Sequence, residues 1–297
     1  MAWYDEMTEN RFKTLWEKKT QDGNYPHRMR NIVEIEFKEL EENVIKQDPK
    51  FVQELVSNLY AGDYYLVRNV FEESYLRGLL QKNLDYWKNT PTSFHKMLEG
   101  CPDFHHLIDE ELSKKYYGEP VKHSYYFYPW NGDPLNLFKP IREKWRIFKT
   151  LGGMDPLQYE NNTPKDGVCD RIQFAQYPAG SGRIATHEDP YKHVNPIIST
   201  YLSKRGEDFQ TGGVYFVNQQ DKKVDLEENV NVGDVGLAFP TVAHGVDRVD
   251  AHITNPDWDS PQGRWWLGMF SNMSEEVKNR HTWRKVEIPG LEESTNQ

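Results

Sequence analysis

Asp170-Arg-Ile-Gln-Phe-Ala-Gln-Tyr-Pro-Ala-Gly-Ser-Gly-Arg-Ile-Ala-Thr-His-Glu-Asp189 is where the texture of this chain changes. From here on, short strand-like runs are separated by Gly, Pro, Asn and Asp, the residues that turn a chain between strands. Arg171–Tyr177, Pro196–Leu202, Gly213–Val217, Val235–Phe239, Val246–Val249 and Arg264–Phe270 read as strands. Many short strands at this spacing predict a double-sheet jelly roll or barrel rather than an α/β fold. The Gly-rich piece Ala179-Gly-Ser-Gly182 lacks the Lys-Ser/Thr of a phosphate loop and reads as a turn.

Upstream, Asp48-Pro49 reads as an N-cap followed by a first-turn proline, with Phe51, Leu55 and Leu59 at helical spacing behind it. A second helix is predicted from about Glu72 to Lys88, with Leu76, Leu79, Leu80, Leu84 and Trp87 on one stripe, and Tyr64–Arg68 as a strand between the two. The aromatic run Ser124–Trp130 fits a strand or an ordered loop, and core packing is favoured over a substrate wall. There are no internal repeats, no low-complexity tracts and no clear linker. One folded unit is expected over 1–297: a mostly helical support region over 1–165, a β core over 166–285 and a C-terminal tail over 286–297.

The 297 residues carry 46 acidic against 36 basic side chains, a net charge of −10. That sign argues against a nucleic-acid or anionic-membrane binder, both of which need a basic footprint. Hydrophobic residues make up only 37 %, but 9 Trp, 17 Tyr and 14 Phe bury much area per residue and exclude a disordered chain. No run is long and apolar enough for a membrane span. Met1-Ala-Trp-Tyr-Asp-Glu6 is acidic and unlike a signal peptide, and two cysteines, Cys101 and Cys169, suit a reducing compartment. A cytoplasmic protein is expected.

Most of the ten histidines carry no pattern. His105 and His106 look faintly like ligands, but nothing nearby completes a zinc set. His187-Glu188-Asp189 differs: side chains two apart on a strand share a face, so His187 and Asp189 can reach one metal. Downstream, Val232-Gly-Asp-Val-Gly-Leu-Ala-Phe-Pro240 leads into His244-Gly-Val, and Gly263-Arg264-Trp-Trp-Leu-Gly-Met-Phe270 follows. Two His and one carboxylate can occupy one face of an octahedral iron, leaving three positions open. An arginine on the next strand can hold a distal carboxylate of a chelating co-substrate.

In this order on a strand-rich C-terminal half, His187, Asp189, His244 and Arg264 resemble the Fe(II)/2-oxoglutarate dioxygenase superfamily, most closely its prolyl 4-hydroxylase-type branch. Gln176-Tyr177-Pro178 with a Gly-rich turn and His187 ten residues after the Tyr, Thr211-Gly-Gly-Val-Tyr-Phe216 and Val232-Gly-Asp-Val235 are the matching segments, within residues 170 to 272. The resemblance implies a mainly β protein whose double-stranded β-helix (jelly-roll, cupin-like) core is supported by N-terminal α-helices. It implies iron held by His187, Asp189 and His244, and 2-oxoglutarate anchored by Arg264 with Tyr177 and Tyr201 as weaker contacts. Fe(II), 2-oxoglutarate and O2 would together hydroxylate a C–H bond, releasing succinate and CO2. An Asp at position 189 favours hydroxylation over halogenation.

Twenty positions separate His244 from Arg264, about twice the spacing usual in that branch. Asp250–Gln262 therefore reads as an inserted loop near the active-site mouth, and His252 and Arg248 stay open as rivals to His244 and Arg264. The expected substrate is a small molecule (an amino acid, a sugar-like or a natural-product metabolite), with a protein prolyl residue as an alternative. An acid could meet Arg171, Arg183 or Lys192, each of which also reads as a solvated surface charge. A non-catalytic jelly-roll ligand binder and a zinc or nickel cupin-like enzyme are the competing classes.

Overall fold

The computed structural model describes residues 2–116 and 118–291; the end of the expected tail, 292–297, lies outside them. In chain order the elements are α1 (Arg11–Thr20), β1 (Ile32–Glu36), α2 (Phe37–Lys46), α3 (Pro49–Tyr60), β2 (Tyr64–Arg68), α4 (Glu73–Trp87), β3 (Phe104–Ile108), α5 (Glu110–Ser113), β4 (Lys122–Phe127) and α6 (Phe138–Leu151). The strand-rich half follows: β5 (Val168–Pro178), β6 (Ile184–Glu188), β7 (Ile197–Tyr201), β8 (Gly213–Val217), β9 (Lys223–Asp225), β10 (Val235–Ala238), β11 (His244–Asp247), β12 (Gly263–Met273) and β13 (Arg284–Lys285). They form an eight-stranded sheet in the order β1-β2-β10-β7-β12-β5-β4-β3 and a five-stranded sheet in the order β13-β6-β11-β8-β9. Two mostly antiparallel sheets with crossing connections, backed by helices, are the expected jelly roll. No helix among the described residues is long and apolar enough to cross a membrane.

Local signals behave as their chemistry demands. The Asp48 carboxylate accepts from Phe51 N and opens α3, with Pro49 in the first turn. Leu55 and Leu59 of α3 and Leu76, Leu79 and Trp87 of α4 are buried. On the large sheet, alternation divides the side chains of β5 and β12 between two environments. Ile172, Phe174, Trp265, Leu267 and Met269 join the main core together with Ile141, Trp145, Phe148 and Leu151 of α6. Tyr177, Gln173, Arg171, Arg264, Trp266 and Phe270 face a cavity between the sheets.

The structure differs from the sequence reading in three places. The region over 1–165 supplies four strands of the large sheet besides its helices. β1 is a half-exposed, charge-bearing edge strand and β3 contains the His105-His106 pair, so neither shows a hydrophobic run. The aromatic run lies on β4 and just beyond it, and both readings hold: Tyr125 and Phe127 enter the main core while Tyr126 and Tyr128 line the cavity. β11 begins at His244 rather than Val246, because pairing to β6 and β8 starts there.

A buried ion pair ties α6 to the central ladder. Lys149 Nζ lies 2.5 Å from Asp170 Oδ2 and 2.5 Å from Gln158 O, while Ser271 Oγ donates to Asp170 Oδ1 at 2.7 Å. Both charged side chains are almost fully enclosed, at 1 % and 0 % exposure. Enclosed charges are costly singly and tolerable as a hydrogen-bonded pair. Asp170→Ala should therefore lose about 3–5 kcal/mol in urea unfolding, whereas the double change Lys149→Met with Asp170→Leu should recover most of that loss. Equal losses in both would show that the pair is not what Asp170 contributes.

Candidate metal and co-substrate site

β6 and β11 run antiparallel with His187 directly opposite His244, so two imidazoles meet across the ladder with ring centroids 4.3 Å apart. Asp189 follows one residue past the end of β6, its backbone N–H bonded to Pro240 O at 2.9 Å, and returns to the same face as His187. Glu188, between them, turns away: its carboxylate takes His27 Nδ1 at 2.8 Å and Arg284 at 2.7 Å. The Glu in this tripeptide is thus an anchor that fixes the orientation of its neighbours.

Nε2 of His187 is 3.9 Å from Asp189 Oδ1, and Nε2 of His244 is 3.8 Å from Asp189 Oδ2. All three ligand atoms fall within 4.8 Å of one another, a group of three that could hold one metal ion. Each ring is fixed from behind. His187 Nδ1 donates to Ala185 O and His244 Nδ1 to Val242 O, both at 2.9 Å, which leaves the two Nε2 lone pairs aimed inward. Phe216 stacks on His244 at 4.9 Å and Trp283 meets His187 edge-on at 5.5 Å. Burial, helped by His244, pushes the His187 pKa well below its ordinary value; burial likewise raises that of the Asp189 carboxyl. A neutral imidazole is the ligand form, and a divalent cation beside Asp189 would favour its anion. The donor set, two imidazoles and one carboxylate with the remaining side open to the cavity, suits a non-haem Fe(II).

Arg264 opens β12 and is buried, with its guanidinium carbon 5.8 Å from the Tyr177 ring centroid and 5.6 Å from that of Tyr201. Its Nε donates to Glu227 Oε1, which also accepts from Val214 N at 2.8 Å. Glu227 can lie there because Gly213, at φ 114°, has no side chain; a Cβ would sit 2.4 Å from Glu227 Cγ. The Gly-Gly strand thus creates room for the partner of Arg264, a carboxylate that no sequence motif marked. With Nε engaged, the Nη edge of Arg264 has no protein partner among the described residues and faces the cavity. Tyr201 OH meets Tyr64 OH at 2.9 Å, and burial pushes both phenols above their ordinary pKa, so both remain neutral donors. Gly236 lets Tyr64 reach this point, since a Cβ would fall 1.8 Å from its hydroxyl.

His187, Asp189, His244, Arg264, Tyr177 and Tyr201 all line this one cavity of about 560 Å³. The rivals lie elsewhere. His252 is exposed on the 250–262 loop, and Arg248 donates through Nε to Gly180 O at 2.7 Å outside the cavity. No residue of that loop lines the cavity, which corrects its expected place at the mouth. It connects β11 to β12 at the Arg264 end, where Gln176 Nε2 binds Ser260 O and Gln262 O, and Asp250 Oδ1 accepts from Gln210 and Thr211 N–H. The exposed lining residues are instead Phe94, His95, Arg280 and Thr282. His105 is engaged by His123 at 2.9 Å and Thr90 O at 2.6 Å. Neither it nor His106 belongs to a metal-competent group among the described residues.

No protein-family profile and no curated protein matches the chain. Among solved structures, it is similar to a full-length Neurospora crassa thymine hydroxylase in complex with alpha-KG, at 13 % identity and a TM-score of 0.49, covering 83 % of this chain and 86 % of that one. It is also similar to a Pseudomonas putida prolyl-4-hydroxylase, at 13 % identity, TM-score 0.46 and coverage of 70 % and 91 %. A rice dioxygenase for auxin oxidation gives 10 % identity, TM-score 0.46 and coverage of 84 % and 89 %.

His187→Ala, Asp189→Ala and His244→Ala should each reduce bound iron from about one per chain by tenfold or more at micromolar metal, as expected when a ligand or its support is lost. His252→Ala should retain full iron. Colorimetric iron counting after desalting separates the two, and iron loss in His252→Ala alone would relocate the site.

Proposed function

We propose that the protein is an Fe(II)- and 2-oxoglutarate-dependent oxygenase that hydroxylates a C–H bond of a small molecule, with release of succinate and CO2. One observation carries the reading: two Nδ1-anchored imidazoles and a carboxylate converge on a cavity that also receives the unpaired Nη edge of a buried arginine. Iron, when bound, would supply the activation of O2 and the oxidative decarboxylation of 2-oxoglutarate. The chain's own part is positioning. His187, Asp189 and His244 would hold the metal on one side and leave the cavity side for co-substrate and O2.

Arg264 would take the distal carboxylate of 2-oxoglutarate on its Nη edge while Glu227 holds its Nε edge and fixes the plane of the fork. The neutral hydroxyls of Tyr201 and Tyr64 stand beside Arg264 as further donors. Tyr177 and Trp266 wall the same end and keep water from the carboxylate. A partly enclosed cavity of about 560 Å³ suits a small molecule better than a folded protein segment.

Anaerobic protein with Fe(II) should develop a visible charge-transfer band on addition of 2-oxoglutarate and release succinate when oxygen is admitted. Neither band nor succinate at full metal loading would favour a non-catalytic ligand binder. Arg264→Lys cannot serve Glu227 and a carboxylate with one fork, so 2-oxoglutarate affinity should fall roughly thirty-fold to several thousand-fold, read by titrating the band. Unchanged affinity would leave the Glu227 ion pair as the whole role of Arg264.

A further inference from the structure

Four cationic side chains line the cavity: Lys122, Arg171, Arg264 and Arg280. Arg280 is paired with Glu275 at 2.7 Å, and Arg264 with Glu227. Lys122 and Arg171 have no carboxylate partner among the described residues, in a chain whose net charge is −10. Elsewhere such groups are engaged: Arg183 forms a two-pronged pair with Glu110 at 2.7 Å, so it is not available to a ligand.

Arg171 is held in place without being neutralised. Its guanidinium carbon lies 4.9 Å from the Tyr126 ring centroid and 5.5 Å from that of Phe270, its cross-strand partner on β12. One Nη group donates to Gln173 Oε1 at 3.1 Å, and Gln173 is itself held by Ser124 Oγ at 3.2 Å. Its Nε is fully enclosed and has no hydrogen-bond partner. A rigid, stacked guanidinium that lines the cavity with no carboxylate on it leaves its charge for an acceptor in the cavity. Arg264 pairs with Tyr177, six residues along β5 from Arg171, so the two arginines stand about 20 Å apart along the ladder at roughly 3.3 Å per residue. Lys122, from β4, stands level with Tyr177 and Arg264 rather than with Arg171, since His123 pairs with Gln176.

We propose that Arg171 is the specificity site for the primary substrate, and that this substrate is a small monocarboxylate with an apolar or aromatic body. The assignment rests on the oxygenase reading above. Charge balance supports one negative charge: Fe(II) with Asp189 and 2-oxoglutarate sums to minus one, the Arg264–Glu227 pair adds nothing, and Lys122 with Arg171 brings the total to plus one. Tyr126, Phe104, Trp266 and Phe270 supply apolar walls for the body. The carboxylate end would be held at Arg171, leaving the body of the substrate to extend towards the metal.

The test is calorimetric binding to the anaerobic Fe(II)·2-oxoglutarate protein of three probes with one body: 3-phenylpropanoate, 3-phenylpropanamide and 2-phenylethyl phosphate. Wild-type protein should bind the acid at least about tenfold more tightly than the amide, since only the acid makes the charge-assisted pair. Arg171→Gln should erase most of that preference by weakening the acid and not the amide, and Arg171→Lys should restore it only in part. Absence of acid binding, equal acid and amide affinity in the wild type, or an unchanged preference in Arg171→Gln would overturn the assignment, and tighter binding of the phosphate would overturn the carboxylate class. Failure of 2-oxoglutarate itself to bind the iron-loaded protein would instead defeat the underlying oxygenase reading, so the two failures are distinguishable.

Discussion

The ladder between β5 and β12, paired without a break from Val168–Met273 to Pro178–Gly263, is the constraint from which the rest of the architecture follows. Because side chains alternate, this one double strand has a greasy back and a polar front. The back, with Trp265, Leu267, Ile172 and Phe174, joins the same core as α6 and is locked to that helix by the enclosed Lys149–Asp170–Ser271 contact. The front presents Arg264 at one end and Arg171 towards the other. Register is what makes this work: a slip of β12 by one residue would send Arg264 into the core and Trp265 into the cavity.

The second sheet supplies the candidate metal ligands, and the precision of their placement comes from the backbone rather than from the side chains themselves. Pairing of His187 with His244 sets their separation, and carbonyls two residues upstream set their tautomers. Phe216 and Trp283 then hold the rings in place. Glu188 belongs to the same design, because its bonds to His27 and Arg284 keep the strand end from rotating. Two sheets, each holding one half of the chemistry, must therefore stay in register for the site to exist.

Much of this is legible in the residues. The convergence of His187 and Asp189 can be read because strand alternation is rigid: two side chains at i and i+2 share a face whatever the fold. The helix over 49–60 can be read because its cap is a local hydrogen bond. Three features are hidden for reasons of the same kind. Glu227 follows β9 and meets Arg264 only through tertiary closure, so only the Gly212-Gly213 pair hints that something bulky lies above it. The strands β1 and β3 sit at sheet edges; β1 has a wet face that admits Glu34 and Glu36, and β3 is interrupted by the buried pair His105 and His106, so neither shows a hydrophobic run. The 250–262 segment reads as a loop at the active-site mouth from its length, but sequence carries no information about which end of a sheet a connection crosses. Arg171 is visible as a cation without a role until the structure shows that Arg183 is already paired and Arg171 is not.

The central claim is that one cavity holds the metal on His187, Asp189 and His244 and a dicarboxylate on the free edge of Arg264. A crystal structure of the protein grown anaerobically with Mn(II) and 2-oxoglutarate tests it most directly. The account predicts one metal bound to these three side chains, with the far carboxylate of 2-oxoglutarate on the Nη edge of Arg264 and the Glu227 contact to Nε retained. Metal bound elsewhere, or a co-substrate that leaves Arg264 wholly to Glu227, would contradict it.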